Sequence, residues 1–182
     1  MLKPRDNWTW YFDDMENHLM LDVGDNIVFK TNLSRKLLVE YAIGTNNFCV
    51  DDASAYQTFK ESLTHLDLSE PRQAELALYC VAARRFHKPV QPKSWFFHAG
   101  QGSNCRLHEG NLVKLSNEFG EGVFIILEVA DAVCLIAPVE LDGFTLSDSK
   151  QLAFGEPIKV MHDRIGPTMH EIMDTPSVAM AV

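Results

Sequence analysis

The stretch Lys88-Pro89-Val90-Gln91-Pro92-Lys93-Ser94-Trp95 constrains this chain more than any other. Each proline fixes its own φ and drives the residue before it toward extended conformations, so no helix runs through. Helical periodicity precedes the stretch and short β-like runs follow it. The chain therefore divides into residues 1–93 and 94–182, and 182 residues suffice for one ample domain or two small ones. The expected fold class is α+β: an N-terminal α/β region of short antiparallel strands plus helices, then a small β barrel or folded sheet.

In the first half, Trp8–Phe12, His18–Val23 and Ile27–Phe29 read as strands, with Asp13-Asp14 and Gly24-Asp25-Asn26 as turns, giving an antiparallel meander. Asn32 or Ser34 is placed to cap a short helix through Arg35–Leu38. Asp51 or Asp52 is the expected N-cap of a helix over Ala53–Leu66, whose Ala55, Tyr56, Phe59 and Leu63 recur at helical spacing. A second helix starts at Ser69-Glu70-Pro71 and shows Leu76, Tyr79, Cys80, Ala83 and Phe86 on one face. The second half offers strands at Trp95–His98, Cys105–His108, Leu112–Leu115, Val123–Val129, Ala132–Val139, Phe144–Leu146 and Pro157–Met161, with Asp131 in a hairpin turn. The end of the tail beyond Gly166 is expected to be loosely ordered.

Chemical motifs are scarce. No G-x-x-x-x-G-K-[ST] or strand-to-helix G-x-G-x-x-G occurs; Gly100-Gln101-Gly102 and Gly120-Glu121-Gly122 read as flexible loops between strands. The seven histidines include no H-x-x-x-H pair, and Cys49, Cys80, Cys105 and Cys134 are widely spaced, as expected of buried reduced thiols. No G-x-S-x-G elbow is present, and Asp13-Asp14 and Asp51-Asp52 suit turns and caps better than acid–base pairs. The sequence thus points to no catalytic residue, no metal and no cofactor.

The net charge of −9 opposes nucleic-acid binding. The first half carries 11 Lys and Arg against 13 Asp and Glu, the second 5 against 12. The cationic cluster Arg84, Arg85, Lys88 and Lys93 therefore stands on a nearly neutral half, where it suits an acidic partner. The same residues also suit a helix C-terminus, and neither reading excludes the other. Trp95 adds a large amphipathic contact beside the cluster. Trp8, Trp10 and Phe12 share one strand face, which serves equally as core. No apolar run approaches a membrane span and no secretory signal opens the sequence, so a cytosolic protein is expected.

Asn7-Trp8-Thr9-Trp10-Tyr11, Leu19-Met20-Leu21-Asp22, Arg35-Lys36-Leu37-Leu38, Phe48-Cys49-Val50-Asp51-Asp52-Ala53, Lys88-Pro89, Pro92-Lys93-Ser94-Trp95, Ile158-Lys159-Val160-Met161 and Asp163-Arg164 together resemble the ZapC family of gammaproteobacterial Z-ring-associated proteins. The resemblance runs over most of the chain but not the loop around Gly100 or the C-terminal tail. It implies a cytoplasmic, non-enzymatic, monomeric factor at midcell that binds the globular core of polymerised FtsZ, the tubulin-like division GTPase. Proteins of this kind bundle protofilaments and lower GTP turnover. It further implies a twisted, barrel-like second domain, a pocket in each domain, and partner contacts at Leu21, Lys88 and Lys93. Lys159 and Arg164 are the corresponding candidates around the second pocket. Leu21 also fits a core position. The rival readings are a small-ligand-binding protein or enzyme with a pocket between the halves, and a self-assembling scaffold.

Overall fold

The computed structural model describes residues 1–100 and 106–170. Three strands form the expected meander: β1 (Thr9–Asp13), β2 (His18–Asp22) and β3 (Val28–Ser34). Trp10 sits opposite Leu21, and Leu21 opposite Phe29. The β2–β3 turn holds Gly24, Asp25 and Asn26 at φ values of 82°, 54° and 60°. Glycine adopts this left-handed region freely, and Asp and Asn visit it more readily than other side chains. A two-residue strand, β4 (Asn46–Asn47), adds to the free edge of β1 and gives the order β3-β2-β1-β4.

Two helices cover one face of this sheet. The first, α1 (Val50–Leu63), starts earlier than the sequence predicts. Its N-cap is Cys49, and Asp52 serves from the third helical position, where its carboxylate accepts the Cys49 N–H at 3.1 Å. An acid there satisfies an orphan amide as well as a cap residue does. Ser34 and Asn32 do not cap as expected: Arg35–Leu37 is a single 3₁₀ turn without a side-chain cap bond, and Asn32 lies in β3, donating to Gly155 O at 2.9 Å.

The second helix, α2 (Glu70–Phe86), begins at Ser69 with Pro71 in its first turn. Its buried set is wider than one stripe: Leu76, Ala77, Leu78, Cys80, Val81, Ala82, Ala83 and Phe86 are all hidden. A helix apolar on most sides is one packed on most sides. Here α2 lies between the first sheet and a second one.

That second sheet contains β5 (Leu112–Asn117), β6 (Gly120–Val129), β7 (Val133–Pro138) and β10 (Ile158–Met161), all antiparallel, in the order β10-β7-β6-β5. A short ribbon, β8 (Phe144–Ser147) with β9 (Lys150–Leu152), lies apart from it. The described strands form two open sheets and a ribbon, barrel-like only loosely. The run Phe124-Ile125-Ile126-Leu127 explains the layering. Ile125 and Leu127 join the helix-side core, whereas Phe124 and Ile126 face a smaller core with Phe97, Phe144 and Leu152. Period-two alternation thus feeds two cores from one strand. The helix-side core also holds Trp8, Trp10, Leu21 and Phe59, so apolar packing is continuous from one half to the other.

The Gly120–Gly122 segment is not a loop. Both glycines lie in β6, and a Cβ on Gly122 would stand 2.6 Å from the Phe144 ring. Phe144 stacks with Phe97 and meets Phe124 edge-on, so the glycine makes room for an aromatic cluster. The strand expected over Trp95–His98 is instead a 3₁₀ turn, Ser94–Phe96. Lys93 and Ser94 already bond to β10, and the turn sends Phe97 inward while Trp95 stays outside. Of the Cys105–His108 strand, Cys105 lies outside the described residues and 106–108 carry no regular structure. The Gly102 end of the glycine loop and residues 171–182 also lie outside. Cys80 and Cys134 are buried as expected, but Cys49 is exposed at its helix start.

One buried carboxylate joins three elements. Asp52, 1% exposed, accepts from the Trp10 indole N–H at 3.1 Å, from Cys49 N–H and from the Arg85 guanidinium through the same oxygen. Breaking a buried ion pair costs roughly 3–5 kcal/mol, and the partial solvent access of Arg85 softens that. Asp52→Ala is therefore expected to lose roughly 2–3 kcal/mol, seen as a lower urea midpoint at unchanged slope. Gly155, at φ 72°, is a second tie: an added Cβ would lie 2.6 Å from the Tyr79 ring. Gly155→Ala is expected to cost about 1–3 kcal/mol by the same measurement.

Candidate partner-binding crevice

The proline stretch is stitched down at both ends. Val39 N–H donates to Phe86 O at 2.9 Å and Lys88 N–H to Leu37 O at 2.8 Å. Beyond the prolines, Lys93 N–H donates to Lys159 O at 2.8 Å, and Met161 N–H to Ser94 Oγ at 2.9 Å. The basic segment therefore runs from the end of β3's 3₁₀ turn to the outer edge of β10. Between these anchors lies a crevice of about 110 Å³, lined by Leu37, His87, Lys93, Lys150, Glu156 and Lys159 among others.

The structure sorts the expected contact residues into two groups. Lys93 and Lys159 line the crevice, and Lys88 is exposed on the same hinge. Trp95 is 69% exposed, with its ring 5.5 Å from that of Phe96. Lys150 reaches over the Phe96 ring at 5.5 Å. This is a cationic and aromatic surface on an acidic protein, suited to a partner that brings carboxylates and one apolar anchor.

The other residues face inward. Leu21 is 0% exposed in the helix-side core, so a change there acts through folding rather than by removing a surface contact. Arg84 bonds Asp51 at 2.8 Å and Glu109 at 2.9 Å, tying the helices to the second half. Arg85 is committed to Asp52 and to Asn47 O, and it stacks over Phe86 at 4.7 Å. Arg164 donates to Phe97 O at 3.2 Å and lies 3.3 Å from Asp163, away from the crevice lining. The arginines of the sequence cluster are thus structural and its lysines are not. Arg residues make planar multidentate ion pairs more readily than Lys, which fits this division.

Lys150 was missing from the sequence expectations. It opens β9, a three-residue strand too short for periodicity to reveal. Its place on the same strand face as Leu152, after the Asp148-Ser149 turn, was the available signal. An apolar groove of about 410 Å³ also exists in the first half, between Met1, Leu2, Phe29 and Leu78. Its charged lining residues, Glu70 and Glu75, are held by the N-terminal amine and Arg72. Among the described residues, no group of His, Cys, Asp and Glu is placed to hold a metal, and no helix is long and apolar enough to cross a membrane.

Two family models for the cell-division protein ZapC match this chain, the N-terminal one over residues 1–88 and the C-terminal one over 89–171. The chain belongs to the ZapC family of cell-division proteins. It is 62% identical to the Vibrio vulnificus cell division protein ZapC over 91% of each chain. Identity is 54% with that of Vibrio cholerae over 99% of each chain. It remains 39% with that of Musicola paradisiaca, over 91% of this chain and 89% of the relative. In this ZapC-family chain the two family models meet at Lys88-Pro89, between the two stitched ends of the hinge.

His87 sits at the floor of the crevice. Burial holds its pKa below the usual histidine value, and the Lys159 and Lys88 charges add to this; its contact with Lys88 O opposes it. The folded protein therefore binds this proton less readily than the unfolded chain. The resulting stability is complete above about pH 6.5 and is lost as pH falls through the depressed folded-state value. His87→Asn is expected to flatten the fall in melting temperature between about pH 7 and pH 5, measured against the unsubstituted protein.

Proposed function

We propose that this protein is a non-catalytic cell-division factor that binds the globular core of polymerised FtsZ through the lysine crevice and Trp95. The observation that carries this reading is the surface itself. Lys88, Lys93, Lys150 and Lys159 hold no carboxylate among the described residues, whereas Lys30 and Lys114 do. An exposed tryptophan stands beside them. Membership of the ZapC family supplies the setting, cell division.

In this mechanism the lysines steer encounter and fix register, and Trp95 with Phe96 provides most of the binding free energy. Bundling needs two contact faces or self-association, because a monovalent ligand joins nothing. As a monomer, the protein would use the lysine crevice at the junction of residues 1–93 and 94–182 as one face and the apolar groove of residues 1–93 as the other. Lower GTP turnover follows without any contact with nucleotide. A ligand that prefers the assembled filament shifts the population toward it and slows subunit exchange. The site of action is the cytoplasmic face of the midcell ring.

Co-pelleting with GTP-assembled FtsZ tests this. Lys93→Glu and Lys159→Glu together are expected to weaken binding about tenfold, ~1.4 kcal/mol, and to reduce its salt dependence. Trp95→Ala is expected to cost ~2 kcal/mol. Unchanged pelleting of both variants, with circular dichroism intact, rejects the crevice as the contact.

A further inference from the structure

The crevice holds a charge arrangement that is incomplete without an anion. Lys93 is fixed by its backbone bond to Lys159, and Lys150 by its place opposite Ser147 at the start of the β8–β9 ribbon. Both side chains enter the same small space. Lys150 holds the Lys93 ammonium below the usual lysine pKa, with burial adding to the effect and Glu156 opposing it. Like charges in contact repel, and the repulsion is strongest where water is scarce. Leu146, Leu152 and Ile158 line the apolar side of the crevice, and Lys150 keeps access to solvent.

Among the described residues no carboxylate forms an ion pair with either lysine, and Glu156 offsets their charge only in part. Glu156 is the crevice's acid, and its carboxylate already accepts Ala153 N–H at 2.8 Å. Lys159 adds a third cation to the lining. His87 is kept from joining as a fourth by its depressed pKa.

We infer that the crevice is a binding site for a small oxyanion of the phosphate class, bridged between the Lys93 and Lys150 ammonium groups with Lys159 alongside. Size narrows the ligand. A space of about 110 Å³ corresponds to roughly three or four waters at ~30 Å³ each. That admits a tetrahedral or carboxylate head group but not a nucleotide, since sites for larger ligands run from ~300 Å³ upward. The same chemistry can come from two sources: free phosphate, or an acidic side chain of a bound protein. The inference does not depend on FtsZ being that protein.

Inorganic phosphate is the probe. Titrated into the full chain at constant ionic strength against chloride, it is expected to raise the melting temperature saturably and to give a single-site calorimetric isotherm. Lys93→Met and Lys150→Met, which keep their alkyl stems, are each expected to weaken binding about tenfold or more. Lys60→Met, on α1, is expected to leave it unchanged. Glu156→Gln removes the opposing charge but keeps an acceptor for Ala153, and is expected to tighten binding, an outcome that misfolding does not mimic. Stabilisation equal to that by chloride, or equal in all variants, overturns the site. Repeating FtsZ co-pelleting with phosphate present then assigns the source. Competition identifies an acidic group of the filament as the anion, and unaffected pelleting identifies a free one. Phosphate binding without any pelleting rejects the filament reading alone.

Discussion

A carboxylate taken out of water has to be answered, and in this protein the answer to Asp52 organises the first half. One oxygen collects the Trp10 indole from the sheet, the Cys49 amide at the start of α1 and the Arg85 guanidinium from the end of α2. Any two of these elements could slide against each other over a purely apolar contact. The shared acceptor leaves one arrangement in which all three donors are satisfied. Around it the Trp10 ring centre lies 5.7 Å from that of Phe48 and 5.6 Å from that of Phe86. The price of this order is an arginine withdrawn from the surface.

From that fixed end, α2 runs between two sheets and carries their relative position. Leu76, Ala77 and Val81 share a core with Ile125, Leu127 and Ala137 of the second half. Asn32 reaches Gly155 across the same boundary, and Arg84 reaches Glu109. The proline stretch is therefore a strap laid over a packed joint. Lysines that originate on separate strands and on the strap acquire a set spacing, and a set spacing is what lets several weak charges act on one ligand.

Much of this was legible in advance, and the failures have a common cause. The meander, α2 and the β6–β7 hairpin follow from periodicity because each is long enough to show one. The two-residue β4, the three-residue β9 and the Ser94–Phe96 turn are too short, and tertiary bonds create them. A run of basic residues announced a charged surface, but sequence gives no sign of which charges meet a partner inside the fold. Arg84 and Arg85 do, through Asp51, Asp52 and Glu109, which are distant in sequence. Leu21 resembled a contact residue, yet its strand alternation against Trp10 already placed it on the core face. Lys150 was overlooked because a single lysine after a turn looks like any other solvated residue until its neighbour Lys93 is seen.

The borders of the second sheet have a further significance. Lys93 and Ser94 occupy the open side of β10, while His98, Gly166 and Pro167 bond along the open side of β5. Wherever copies of a chain meet at high local density, bare strands recruit one another into cross-β aggregates. Here those backbone groups are already occupied, so crowding brings neighbours together without offering them an edge of this sheet to extend.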